Sequence, residues 1–347
     1  MKLRRSMALL ILTSLALVAC GAAETLAPQV ALREAAQTTL GQEHAQYTLS
    51  LVGSEDDVNA LVNGGKALTD DDRKGLELLR TSRLVVSTGA GRFAADLRLG
   101  TLDRAFELRG LESKLYVRAD VAGMAKLFGA EPGELDDVVT QAREAGFDFV
   151  ADAVAGRWLW LDLNALAKFG EEFAEKNGLP VPEGITGAEG LKGLEGFTQL
   201  RDAIAAAWSE NVKVERLSRE GAGDHYQLTV PLRQVYQRLA PALSGLPGLP
   251  GLPAGPGLPS ADLVPDRNVI ADVWVADGRL TRAELDLAQF AQKVGAAEGG
   301  RVALRIDVAD RASDVSAPTG AVEVKLAEIL QRFLGAFAGL SGAGISS

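Results

Sequence analysis

Cysteine is almost missing from this chain of 347 residues: Cys20 is the only one, so no disulfide can form within it and no cluster of thiolates can hold a metal. Histidine is nearly as scarce. His44 and His225 are the only two, a thin stock for imidazole catalysis or zinc binding. Aromatic residues make up 5% of the chain, so Leu, Ala and Val must fill most of any core. Basic charge is in deficit, with 36 Lys and Arg against 46 Asp and Glu, and a net charge of −10 disfavours nucleic acid, so no nucleic-acid partner is expected. Catalytic signatures are absent as well. There is no G-x-S-x-G elbow, and Gly64-Gly65-Lys66-Ala67 lacks the Ser or Thr with which a phosphate-binding loop holds magnesium. Gly89-Ala90-Gly91 lacks the third glycine of a dinucleotide turn and suits a hairpin. The acidic runs Asp56-Asp57 and Asp70-Asp71-Asp72 do not follow calcium-loop spacing; carboxylates there suit the first turn of a helix. These absences lead to an expectation of no enzyme activity, no cofactor and no metal.

What is present begins with a leader. Lys2, Arg4 and Arg5 form a basic start, followed by an apolar stretch from Met7 to Ala19. At roughly a dozen residues that stretch is too short to cross a bilayer and has the length of an export signal's apolar core. It ends at Leu17-Val18-Ala19-Cys20-Gly21, which resembles the lipobox of bacterial lipoproteins. The resemblance implies that residues 1–19 are removed, that the Cys20 thiol carries diacylglycerol and that its amine is open to further acylation such as palmitate. The small residues Ala19 and Gly21 leave a peptidase room at the bond to be cut. A chain so placed is extracytoplasmic and held to a bacterial cell membrane or outer membrane through its lipid, with residues 20–29 as the tether. Three of the 36 basic residues leave with the leader, so 33 face 46 acidic ones and the remainder carries −13. Anionic head groups repel such a protein, which leaves the holding to the acyl chains, at about 0.8 kcal/mol per buried methylene.

The rest alternates between two periods. Val30–Leu40 has helical spacing, and Ala45–Leu51 opens the β-structure. Glu55–Leu79 is polar and helical, with Thr69 and Asp72 spaced as a capping pair. Leu84–Thr88 is a strand. In Arg92–Leu99, Phe93, Ala95, Leu97 and Leu99 alternate with Arg92, Asp96 and Arg98. Arg104–Arg109 and Ser113–Asp120 continue the alternation, predicting an antiparallel meander with one dry face. Helices follow at Ala122–Phe128 and Gly133–Val154. Arg157–Leu163 returns as a strand carrying Trp158 and Trp160 on one face, either as core or as a platform for stacking sugars. Asn164 then caps a helix to about Lys176. After a Gly-rich stretch at 178–197 and a short helix at 200–209, strands are predicted at Val212–Leu217, Asp224–Val230, Val269–Val275, Arg279–Leu287 and 301–309, with a helix at Arg233–Leu243. Asp277-Gly278 is a tight-turn dipeptide between two of those strands. Segment 244–260 carries a Leu-Pro-Gly repeat that reads as an extended linker within a single domain over 30–321. Val322–Phe337 reads as an apolar C-terminal helix, within a tail over 322–347.

The order of these features resembles a known group. The lipobox comes first, then the meander with Leu111–Arg118, then Gly156–Leu163, the hairpin Asp272–Leu280, the strand Arg301–Ala309 and Ser313–Pro318. Together they are similar to the LppX/LprG-type envelope lipoproteins and, more distantly, to the LolA-like carriers. The resemblance implies an α+β fold: a large curved antiparallel β-sheet, an unclosed barrel of about eleven strands, covered by helices and holding acyl chains in its hollow. It also implies lipid binding or lipid transport, with an acylated lipid as ligand and an envelope protein as a partner to receive it. Phe93, Leu97, Phe106, Leu108, Leu115, Val117, Leu285, Leu304 and Ile306 are the expected cavity wall. The Leu-Pro-Gly linker and the C-terminal helix depart from the group's pattern. The alternative is a non-enzymatic sensor or scaffold of the envelope, in which the same apolar face is a filled core.

Overall fold

The structure is a computed structural model, which describes residues 27–40, 42, 44–63, 66–89, 92–176, 212–220, 223–244, 260–290, 301–311, 315–325 and 329–330. Cys20, the Gly-rich stretch 178–197, the expected helix at 200–209 and the repeat at 245–259 lie outside the described residues. The fold class is α+β: a twelve-stranded, unclosed sheet, antiparallel in all but one of the pairings whose register is resolved, with eight α-helices among the described residues. All eleven strands expected from the sequence are present. The chain divides into two compact units, Met1–Ala90 with Gly193–Ser313, and Gly91–Lys192 with Asp314–Ser347.

In the first unit, α1 (Ala27–Leu40) leads into β1 (His44–Val52), α2 (Glu55–Asn63), α3 (Asp70–Thr81) and β2 (Arg83–Gly89). The single helix expected over 55–79 is in fact this pair. Gly64 and Gly65 stand between α2 and the cap of α3, and glycine costs a helix interior about 1 kcal/mol. The capping pair forms as read: the Asp72 amide donates to Thr69 Oγ1 at 3.2 Å, and the Thr69 amide donates to Asp72 Oδ2 at 3.0 Å. The unit continues after the second one with β7 (Lys213–Glu220), β8 (Gly223–Pro231), α8 (Leu232–Ser244), β9 (Asn268–Ala276), β10 (Arg279–Asp286) and β11 (Ala303–Ala309). Strand order is β2-β1-β11-β10-β9-β8-β7. Asp277 and Gly278 have φ of +52° and +68°, as a two-residue primed turn requires.

The core of this unit follows from helical periodicity meeting strand periodicity. Leu32, Ala35, Ala36 and Thr39 are the buried stripe of α1, and Leu232, Val235, Tyr236 and Leu239 that of α8, both at i, i+3, i+4, i+7. The apolar members of both stripes share one cluster with Leu228, Val269 and Leu285, each of these three at most 1% exposed. Thr39 fits this apolar setting because its hydroxyl donates to Ala35 O at 2.8 Å and accepts from the Leu280 amide at 2.9 Å.

The second unit begins with β3 (Arg92–Leu99), β4 (Leu102–Leu111) and β5 (Lys114–Ala119), joined by two-residue turns at which Gly100 and Glu112 take positive φ. Three helices follow: α4 (Val121–Leu127), α5 (Pro132–Glu144) and α6 (Phe149–Val154). The sequence pattern suggests one helix over 133–154. Gly146, at φ +79°, ends α5 with the Phe147 amide bonded back to Ala142 O at 2.7 Å, and the chain restarts as α6. Next come β6 (Leu159–Asp162) and α7 (Leu163–Lys176). The cap of α7 is Asp162 rather than Asn164: its carboxylate accepts from the Asn164 and Ala165 amides at 2.8 and 3.1 Å. The twelfth strand, β12 (Val322–Glu323), occupies the start of the expected C-terminal helix. Val322 and Val324 donate to the carbonyls of Trp158 and Trp160, both at 2.8 Å, in parallel with β6. An open ladder on β6 outcompetes helix formation by a β-branched pair. Strand order here is β12-β6-β5-β4-β3.

Candidate functional site

Register decides which side chains share a face. Across β3 and β4, Ala95 stands opposite Leu108, and Leu97 opposite Phe106. Across β4 and β5, Leu108 stands opposite Val117 and Gly110 opposite Leu115; β6 adds Leu159 beside Val117 and Leu161 beside Leu115. Phe93, Leu97, Phe106, Leu108, Leu115 and Val117 therefore lie together on one apolar sheet face. Gly110 belongs to it for a steric reason, since a Cβ there would run into the Phe93 ring. Leu159 and Leu161 were legible as members too, because they alternate with Trp158 and Trp160.

This apolar face is not the well-covered one. All six of those side chains are half-buried, whereas the opposite face of the same strands holds Ala105, Glu107 and Tyr116, at 0%, 2% and 7% exposure. Non-local cover explains the inversion. Val315 packs against Ala94, Leu111 and Tyr116, with Trp158, Trp160 and Ala321 around them. Arg92 and Arg109 donate to the carbonyls of Val315 and Ser316 at 3.4 and 3.0 Å. Glu107 tolerates burial because Arg118 grips one of its oxygens through both Nε, at 2.5 Å, and Nη2. Arg109 and Arg118 lie over the Trp158 ring at 4.8 and 5.0 Å, and Lys114 over Trp160 at 4.7 Å. The two tryptophans are thus engaged with cations and core. Asp96 shares this face; burial first, and then the Glu107 carboxylate, push its carboxyl above the usual range.

The other three expected wall residues, Leu285, Leu304 and Ile306, belong to the first unit. Leu285 pairs with Leu304, and Ile306 with Ala283. Leu285 is wholly buried and Ile306 is 9% exposed, both in the cluster that contains the stripes of α1 and α8; Leu304 packs against it half-buried. Burial in the same cluster lifts the Tyr236 hydroxyl above its ordinary range.

The first unit's opposite sheet face is polar and cross-linked. Glu284, at 4% side-chain exposure, accepts from Arg301 at 2.8 Å and Arg305 at 2.7 Å. Asp272 meets Arg301 at 2.9 Å and His225 Nε2 at 3.1 Å, and the His225 ring stacks on Trp274 with centroids 4.4 Å apart. His44 lies at the start of β1. Among the described residues no group of three or more His, Cys, Asp and Glu is placed to hold a metal ion, and no helix is long and apolar enough to cross a membrane.

No protein-family model and no curated protein matches the chain. Among solved structures, it is similar to the lipoprotein LppX of Mycobacterium tuberculosis. The two share 11% identity over 83% of this chain and 97% of that one, with a TM-score of 0.32. A likeness of that size carries no argument about function, and the fold class rests on this chain's own strand order.

Proposed function

We propose that this protein is an envelope lipoprotein, anchored through lipid on Cys20, that binds or shuttles an acylated lipid against the apolar face of β3–β6. One observation carries the reading: six large apolar side chains converge on a face that stays half-buried while the charged face behind it does the packing. Apolar surface left half-open costs free energy in water, and an acyl chain laid on it recovers that free energy. A C16 chain offers roughly a dozen methylenes at ~0.8 kcal/mol each, ample for tight capture. The residues' role is to replace water around the chain, with no covalent chemistry.

Leu97→Glu tests the reading, because it puts a charge in the middle of the face without touching the packed side. The expected result is loss of bound lipid with an unchanged far-UV circular dichroism spectrum. A folded variant that retains its lipid would contradict the assignment.

The alternative reading, a non-enzymatic sensor or scaffold, draws on the first unit, whose apolar face is closed by α1 and α8 around Leu228 and Leu285. On that reading, added lipid would leave the protein's mass and stability unchanged.

A further inference from the structure

A separate concavity lies in the first unit at the tip of the β9–β10 hairpin. It measures about 310 Å³ and is walled by Asp277, Arg279, Leu280 and Thr281 of the hairpin together with Gln42 and Asp310.

Its walls are built by specific local devices. The primed turn lifts Asp277 clear at positive φ. A bulge between Leu280 and Arg282 gives β10 an extra residue, Thr281, which lines the wall while its hydroxyl donates back to the Trp274 carbonyl of β9 at 3.3 Å. The hairpin is fixed beneath by the Leu280 amide bonded to Thr39 Oγ1 at 2.9 Å.

The charges decide what fits. Arg279 Nη1 pairs with Asp310 Oδ2, and the Gln42 carboxamide, turned so that its oxygen faces the guanidinium, accepts from Arg279 Nε at 3.2 Å and Nη1 at 3.0 Å. The Arg279 and Asp310 side chains are 43% and 53% exposed, so the pair is wet and exchanges readily. Asp277 adds a second carboxylate. A simple anion meets Asp277 and Asp310, and a simple cation meets Arg279. A molecule with both charges can face the carboxylates with its ammonium and, displacing the Gln42 oxygen and Asp310 from Arg279, take the guanidinium with its anionic end.

We propose that this concavity binds a small zwitterion, a primary ammonium joined through a few bonds to a phosphate or carboxylate. The inference does not rest on the acyl-chain reading, and either can fail alone. The test is isothermal titration of the full-length chain in dodecyl maltoside with glycerophosphoethanolamine, glycylglycine, inorganic phosphate and ethanolamine in turn. The expected result is saturable binding of a zwitterion and none of phosphate or ethanolamine alone. Preference for glycerophosphoethanolamine would identify a lipid head group as the source, and preference for the dipeptide a free amino compound. Arg279→Gln and Asp310→Asn should each weaken binding about tenfold or more, the scale of one lost charge-assisted hydrogen bond. Asp277→Asn should weaken it while keeping the fold, because Asn accepts positive φ. Absence of binding by both zwitterions, equal binding of phosphate alone, or unchanged affinity in all three variants would overturn the proposal.

Discussion

Two leucine truncations of identical chemistry should separate a binding wall from a core. Leu285 is wholly buried between β-strands and helices, and Leu108 sits half-buried in mid-β4 between Ala95 and Val117. Leu285→Ala removes buried methyl groups and leaves a cavity that neighbours only partly fill, so it should cost about 2–5 kcal/mol. Leu108→Ala forfeits only about half the transfer free energy of a leucine, and its site opens outward, so no sealed cavity forms; the cost should be about 1 kcal/mol. For lipid the ranking reverses. Leu108→Ala thins the wall against the acyl chain and should weaken retention about tenfold, while Leu285→Ala should leave retention near the parent value. Urea unfolding followed by tryptophan fluorescence reads the stabilities, and displacement of a fluorescent fatty acid reads the binding. Equal loss of stability in Leu108→Ala and Leu285→Ala, with unchanged probe binding by the former, would mark Leu108 as core rather than wall.

Cys20→Ala should move the mature chain from the detergent phase to the aqueous phase in Triton X-114 partition; unchanged partition would remove the lipid anchor from the account. Removing both Arg301 and Arg305 as alanines should strand the buried Glu284 carboxylate and cost about 3 kcal/mol or more, with Glu284→Gln in that background restoring much of it. An unchanged urea midpoint in the double variant would show that the ion pairs contribute nothing. Asp96 is an acid whose folded pKa is raised, so the native state favours its protonated form and its charge opposes folding above that raised value. Asp96→Asn should therefore stabilise the protein at neutral pH, and the gain should shrink as pH falls from the raised value through the ordinary carboxylate range. A gain that is constant with pH would point to packing instead.

Strands were more legible in the sequence than faces. The eleven expected strands are present because period-two alternation and turn dipeptides such as Asp277-Gly278 are local signals. The Thr69–Asp72 cap was readable for the same reason. The breaks within the two long helical stretches fall at glycines, Gly64-Gly65 and Gly146, whose cost is small enough for context to decide. β12 was not legible at all, since Val322 and Glu323 become a strand only because the carbonyls of Trp158 and Trp160 stand open to the amides of Val322 and Val324. The convergence of Phe93, Leu97, Phe106, Leu108, Leu115 and Val117 follows directly from alternation and register. Which face would be covered does not, because the cover comes from Val315 and its neighbours, far away in sequence, and from arginines that make the burial of Glu107 tolerable. Leu285 and Leu97 look alike in sequence, each an apolar residue in an alternating strand. Only the buried stripes of α1 and α8 distinguish them.

Native mass spectrometry with organic extraction, on a soluble form beginning at Gly21 and purified from a bacterial host, shows whether the protein carries lipid. A lipid carrier should yield a co-purifying species of phospholipid or glyceride mass that is released on denaturation and diminished in the Leu97→Glu protein. A bare protein mass, with no uptake of added lipid, would contradict that role and favour the sensor or scaffold reading.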